Sequence, residues 1–422
     1  MSNIKINTNT ILGHSNILLL ELEGKQQKKQ QQARKNLHIS LVIDCSGSMS
    51  SSLDGGSNLT RNIFNSNLPS LVGSNKETVS EMAQNKLQRV IQAAKASINT
   101  MQEDDCVSVI SFSDSITKHL DLTPVSSKDK IYEALDSIAC AGMTNLYEGW
   151  RQGAVSLAEQ LDPNKMNRVL LFTDGQTNSG EVNSDVICGK ITELAQKNIS
   201  TSTFGVGLDY NEDLLENMAI AGDGHFYFIS DNEAFNDVFE REFSDMSSTV
   251  LSNVLLNIDL GKNIEIKSCL NDLKIQNGKY MLPNLLEGQK LKIAFELDSI
   301  KTIPKNKQVK LFIEGQNNSN ILKFNNIEKL IKDKKNEEYA NEIINRIRLA
   351  AEKRKAIKAL DGGNIQQYKS ILNQASANLC VSQNMKDEKD NLDMLVKSVD
   401  NNQVYARKAN ISQSYNTFYG RE

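Results

Sequence analysis

The stretch Ile43-Asp44-Cys45-Ser46-Gly47-Ser48-Met49-Ser50 places one carboxylate and several hydroxyls directly after the apolar run HISLV. Two later stretches carry similar side chains in similar settings: Thr144 in AGMTNLYEG and Asp174 in LLFTDGQTN. Such residues can be nucleophiles, metal ligands or simply polar turns. A nucleophilic serine needs a base within hydrogen-bond reach. Neither Ser46 nor Ser48 sits between the two glycines of the Gly-x-Ser-x-Gly elbow. His225, after AGDG, reads as a structural histidine, so a serine hydrolase is the weaker reading. The chain has no Gly-x-x-x-x-Gly-Lys-Ser/Thr loop, which argues against a phosphate-binding NTPase. Carboxylates combined with hydroxyls instead suit a hard cation: Mg²⁺ first, Mn²⁺ or Ca²⁺ as alternatives, and neither zinc nor copper.

The elements that must position these residues alternate between strand and helix from about residue 37 to 247. HISLVID, CVSVISF, RVLLFTD, ISTSTFGVG and HFYFIS read as strands. KLQRVIQAAKASINTM, KDKIYEALDSI, LYEGWRQGAVSLAEQL, SDVICGKITELAQKN, NEDLLENMAIAG and NEAFNDVFEREFSDM read as helices. This alternation predicts a mostly parallel sheet with helices on both faces. Ligands bind such sheets beyond the carboxyl ends of the strands, where Asp44 and Asp174 fall. Gly47 lets the first loop turn tightly enough for Ser46 and Ser48 to face one ion.

The Asp-x-Ser-x-Ser loop, the Gly-x-Thr-Asn-Leu-like loop and the Thr-Asp-Gly after a buried strand together resemble the metal-ion-dependent adhesion site of the von Willebrand factor A family. The resemblance covers residues 37–247. It implies that Ser46, Ser48 and Thr144 bind an ion through their hydroxyls, while Asp44 and Asp174 hold it directly or through water. An ion held mostly by neutral oxygens keeps much of its charge and leaves a position for a carboxylate from a partner protein. The implied function is therefore non-enzymatic: a metal-dependent adaptor or scaffold. The alternative is a metal-stabilised scaffold whose partner docks elsewhere, on the sandwich, the helices or the 49–84 loop. Bacterial relatives imply a kinase, phosphatase or AAA-type ATPase as partner. Met143 stands where the family usually has glycine, Cys45 reads as a small buried residue, and Asp114 ends a strand near the crevice.

Outside this region the period changes. Val254, Leu256, Ile258 and Leu260 alternate with polar residues, as do Leu291, Ile293, Phe295 and Leu297, and again Val309, Leu311 and Ile313. These are half-buried antiparallel strands. NILLLELEG near the start has no place in the alternating region, so it is expected to pair with them. The fold class is thus α/β: a doubly wound, mostly parallel sheet inserted into an antiparallel β-sandwich and followed by a C-terminal helical segment. The expected domains are 1–36 plus 248–326 for the sandwich, 37–247 with an insertion at 49–84, a helical hairpin over 327–384, and a partly disordered tail over 385–422. Inter-α-inhibitor heavy-chain-like proteins and a bacterial group resemble this inserted arrangement.

With 422 residues, 39% hydrophobic, 24% charged and a formal net charge of −4, the chain offers no basic field for nucleic acid or an anionic membrane. No apolar stretch approaches the length of a membrane span, and the first residues lack a signal-peptide apolar region. Six cysteines without CxxC spacing point to reduced thiols. A cytoplasmic, bacterial protein is expected.

Overall fold

The computed structural model describes residues 4–13, 17–26, 35–52, 85–177, 179–230, 234–260, 264–298, 309–315, 318–324, 334–379 and 385–420. Its chain divides into two units, one of residues 34–247 and one of residues 1–33 with 248–422. Strands β1 (Ile4–Gly13) and β2 (Ile17–Gln26) form an antiparallel hairpin in the second of these.

Unit 34–247 runs β3 (Leu37–Asp44), α1 (Lys86–Thr100), β4 (Cys106–Phe112), β5 (Ile116–Pro124), α2 (Lys128–Asp136), α3 (Leu146–Ala158) and β6 (Met166–Thr173). It continues through α4 (Ser184–Ala195), β7 (Ile199–Val206), α5 (Glu212–Ala221), β8 (Phe226–Ile229) and α6 (Ala234–Ser248). The sheet order is β5-β4-β3-β6-β7-β8, with every neighbouring pair parallel except β4 and β5. β3 and β6 are buried along their whole length, as strands covered on both faces must be. The chain leaves β3 towards β4 on one side and returns as β6 on the other. The ends of these two strands therefore flank the switch point where a crevice opens.

Leu37, Ile39, Leu41 and Ile43 share one face with α1, α2 and α6, and the core there includes stacked Phe172, Phe204 and Phe239. On the opposite face α3 approaches the sheet closely. A Cβ at Gly149 would lie 2.5 Å from the Phe112 ring, and one at Gly153 would lie 2.3 Å from Val42. Glycine at both positions lets the helix backbone sit against the strands. The antiparallel edge strand β5 escaped the sequence reading. Its residues are mostly exposed or half-buried, and pairing to β4 gives it a strand conformation that its weak hydrophobic pattern does not announce.

In the other unit, one sheet has the order β1-β2-β15-β11 and another β12-β13-β10-β16-β17. The strands follow α6 as β9 (Thr249–Leu251), β10 (Val254–Asp259), β11 (Ile266–Cys269), β12 (Ile275–Gln276) and β13 (Lys279–Leu282). After them come β14 (Leu285–Leu286), β15 (Lys290–Leu297), β16 (Val309–Gly315) and β17 (Asn318–Phe324). NILLLELEG does pair with the later strands: β2 lies antiparallel to β15, with Leu22 opposite Leu291 and Leu18 opposite Phe295. Leu18, Leu20 and Leu22 point into one core with Leu256, Ile293, Phe295 and Ile313, while Ile17 and Leu19 face helix residues Ile343, Ile344 and Ile347.

The helical hairpin is α7 (Lys334–Asp361) and α8 (Ile365–Asn378), broken at Gly363 with φ +75°. In the tail, expected to be partly disordered apart from a helix near 388–400, the described residues carry two helices. These are α9 (Lys386–Asn401) and α10 (Gln403–Phe418). Its apolar residues are few but helically spaced, so Leu392, Leu395, Val399 and Ala406 pack with Leu349, Tyr368 and Leu372 of the hairpin. The tail is ordered by the hairpin rather than by its own composition. Most of the 49–84 insertion and of the Gln/Lys run at 25–35 lies outside the described residues. The insertion begins in a 3-10 turn over Gly47–Ser50 that buries Met49.

Candidate metal centre

Asp44 ends β3, fully buried, and its two oxygens are both used. Oδ1 accepts the Ser46 backbone N–H at 2.8 Å, and Oδ2 accepts the Thr173 hydroxyl at 2.6 Å. Burial pushes its carboxyl up to about 6; hydrogen bonds from Ser46 and Thr173 oppose that rise, and the Asp174 charge adds to it. Asp174 follows β6 and is likewise buried. Its Oδ1 accepts Ser48 Oγ–H at 2.6 Å, and its Oδ2 accepts Lys86 Nζ–H at 2.7 Å. Ser46 Oγ and Ser48 Oγ lie 3.1 Å apart.

Thr144 comes from the loop before α3. A Cβ on Gly175 would lie 3.1 Å from Thr144 Oγ1 and 3.8 Å from Ser48 Oγ, so glycine keeps the space between the two hydroxyls clear. All five sequence-predicted residues therefore meet at the carboxyl ends of β3 and β6. Among the described residues no three His, Cys, Asp or Glu side chains gather as a metal cluster. The side chains gathered here are two carboxylates and three hydroxyls, an all-oxygen set. Asp44, Ser46, Thr144 and Asp174 are buried while Ser48 is exposed, so the cradle is closed below and open at one side.

The loops are tied together by their own backbone. Cys45 N–H donates to Phe112 O at 2.8 Å, Ala141 N–H to Cys45 O at 2.7 Å, Gly47 N–H to Gly142 O at 3.2 Å, and Asn145 N–H to Ser113 O at 2.8 Å. Gly142, at φ +76°, lies under the Asp114 carboxylate, where a Cβ would come within 2.2 Å of Oδ1. Asp114 thus leans on the Thr144 loop rather than joining the donors. Met143 is 55% exposed beside Thr144. Cys45 is buried, its thiol donating to Phe112 O and held above its ordinary range by burial.

His119 and His225 are engaged elsewhere. His119 lies between the Ser111 and Ser137 hydroxyls, each at 2.8 Å, and His225 Nδ1 is 2.7 Å from Glu242 Oε2. Sequence reasoning missed two features. Lys86 opens α1 and is buried against Asp174. Glu242 of α6 is fully buried and accepts from Arg168 Nη1, Ser202 Oγ and Tyr227 OH as well as meeting His225. The signal for Glu242 was its place three residues after Phe239 and next to Phe243, on the side of the helix that faces the sheet.

A sequence profile of the von Willebrand factor type A domain matches residues 78–241. Human inter-alpha-trypsin inhibitor heavy chain H2 is 26% identical over 180 residues, covering 41% of this chain and 19% of that protein. The uncharacterized protein YfbK of Escherichia coli is 26% identical over 195 residues, covering 46% of this chain and 33% of that protein. The chain thus spans only a minor part of the length of these curated relatives. Among solved structures, a von Willebrand factor type A protein from Catenulispora acidiphila has a TM-score of 0.65 at 13% identity, covering 99% of this chain and 96% of that one. The ArnB paralog VWA2 from Sulfolobus acidocaldarius has a TM-score of 0.56 at 15% identity, covering 100% and 99%. At those identities the likeness is one of fold. Profile, relatives and sheet topology agree that this chain contains a von Willebrand factor type A domain.

Proposed function

We propose that this protein is a metal-dependent adaptor. A divalent ion, Mg²⁺ first with Mn²⁺ or Ca²⁺ as alternatives, is held by Ser46, Ser48 and Thr144, with Asp44 and Asp174 contributing directly or through water. The ion supplies a positive charge with an exchangeable ligand position, and an Asp or Glu of a partner protein takes that position. The observation that carries this reading is the meeting of five oxygen-bearing side chains from three loops around the space kept by Gly175. Exposed Met143 beside Thr144 gives the partner an apolar contact next to the charged one.

The rival reading, an ion that only staples the loops, is disfavoured because backbone hydrogen bonds already join them. A hydrolase is disfavoured because Ser48 Oγ bonds to Asp174 while the histidines in this unit that bond to side chains bond to other groups. We place the protein in a reducing bacterial cytoplasm, supported by five described cysteines that form no disulfide. Kinases, phosphatases and AAA-type ATPases are the partner classes we would test first.

Calorimetric titration with MgCl₂ and MnCl₂ checks the site. One ion per chain is expected, with S48A and T144A each weakening binding at least about tenfold. Unchanged binding in both variants would sink the assignment. Partner capture should be lost with EDTA and with D44A while circular dichroism remains that of a folded chain; capture indifferent to both supports docking elsewhere.

A further inference from the structure

Lys86 is in an unfavourable place for a lysine. It is the first residue of α1, where the helix N-terminus already carries partial positive charge. It is also buried, only 5% exposed, where an ammonium loses its hydration. What offsets both is Asp174, 0% exposed, whose Oδ2 lies 2.7 Å from Nζ. The opening of α1 is fixed by other bonds. Asn85 and Gln88 form a reciprocal capping box, and Lys86 N–H donates to Ser51 O at 3.0 Å, just beyond the Ser46–Ser48 turn. The backbone of the metal loop thus determines where this ammonium falls.

We propose that Lys86 is a tethered cation of the metal centre: it neutralises Asp174 when no ion is bound and competes with the ion for that carboxylate, so that it sets the site's metal affinity. This rests on the metal reading above. Asp44 and Asp174 provide two negative charges, and Lys86 cancels one of them. An incoming divalent ion therefore meets one net negative charge instead of two, and must draw Asp174 away from a partner already in contact. In EDTA the same ammonium stabilises the fold, because without it two buried carboxylates would face each other with no cation between them. Binding an ion and releasing Lys86 are in this way one exchange, and the lysine side chain moves off Asp174 when the ion arrives.

The test is calorimetric titration of Mn²⁺ into the full chain and into K86M, which keeps the length of the side chain without its charge, with K86R as the charge-retaining control. Binding roughly tenfold or more tighter in K86M, and close to that of the unmodified chain in K86R, is expected. Metal-free K86M should melt at a lower temperature than the unmodified chain and gain more from saturating Mn²⁺. Equal or weaker binding in K86M overturns the role of Lys86 and leaves the metal site standing. No Mn²⁺ binding by either protein overturns both. A second measurement needs no variant: acetylation of the unmodified chain, read by mass spectrometry, should find Lys86 protected in EDTA and modified at saturating Mn²⁺. Protection that does not change with the ion overturns the exchange, even if K86M fails to fold.

Discussion

Asp44 combines a buried position with two hydrogen-bond donors aimed at its carboxylate, and the burial wins, pushing it up to about 6. The folded protein then holds this proton more tightly than the unfolded chain does. Its contribution to stability is complete below the ordinary carboxylate range near 4 and is lost as pH rises through about 6. In EDTA, the unmodified chain should therefore lose up to about 3 kcal/mol relative to D44N between pH 4 and 7. Urea melts across that range check this, and parallel curves for the two proteins would refute it. An ion requires the ionised carboxylate, so its uptake should fade in the opposite direction, as pH drops below about 6. At this scale the five residues proposed as oxygen donors could be picked from residue type and spacing: Asp44, Ser46, Ser48 and Asp174 lie at or just past the ends of two apolar strands, and Thr144 lies in a polar turn before a helix. Lys86 could not. Its partner lies 88 positions away in sequence, and nothing in QNKLQ announces a buried cation.

Helix α6 is fastened to the sheet by charge as well as by Phe235, Phe239 and Phe243. Glu242 receives Arg168 from β6, Ser202 from β7, and His225 and Tyr227 from β8 and its approach, all with no solvent exposure at the carboxylate. Removing one partner strands the others. E242A should cost roughly 3–5 kcal/mol in denaturant unfolding. The double variant R168M/E242A should cost less than the sum of its singles, as expected for two groups of one network. Additive losses would show that the pair does not act as a unit. On the other face, G149A should cost about 1–3 kcal/mol by forcing α3 off Phe112, read from the same unfolding curves. The strands and helices that carry strong hydrophobic periods were legible in the sequence. β5 and the last helix α10 were not, because their order comes from a neighbouring strand and from neighbouring helices rather than from their own composition, whereas a helix near 388–400, matching α9, could be read.

The two units have separate hydrophobic cores, one built on β3, β6 and their helices and one on β2, β15 and the strands of the partner sheet. A chain cut to residues 34–247 should therefore fold alone, unfold in a single cooperative transition, and keep the metal affinity of the full chain. Calorimetry of the excised piece checks all three, and a non-cooperative melt would contradict the separation. The change of period from helical to alternating near residue 250, and the stray strand NILLLELEG, carried this organisation in the sequence. The extra hairpin strand β1 did not show, since its polar-rich INTNT carries little hydrophobic pattern and is paired by β2.

The pairing of β2 with β15 also has a cost in time. Roughly 270 residues separate Glu23 from its partner Lys290, so a ribosome adding 5–20 residues per second finishes the second strand about 15–50 s after the first. Throughout that interval Ile17, Leu18, Leu19, Leu20 and Leu22, all buried in the finished protein, have neither their sheet neighbour nor their core. The nascent chain carries the apolar strand β2 with one open edge while the whole inserted domain is being made, and that edge has to be shielded from other nascent chains until β15 emerges.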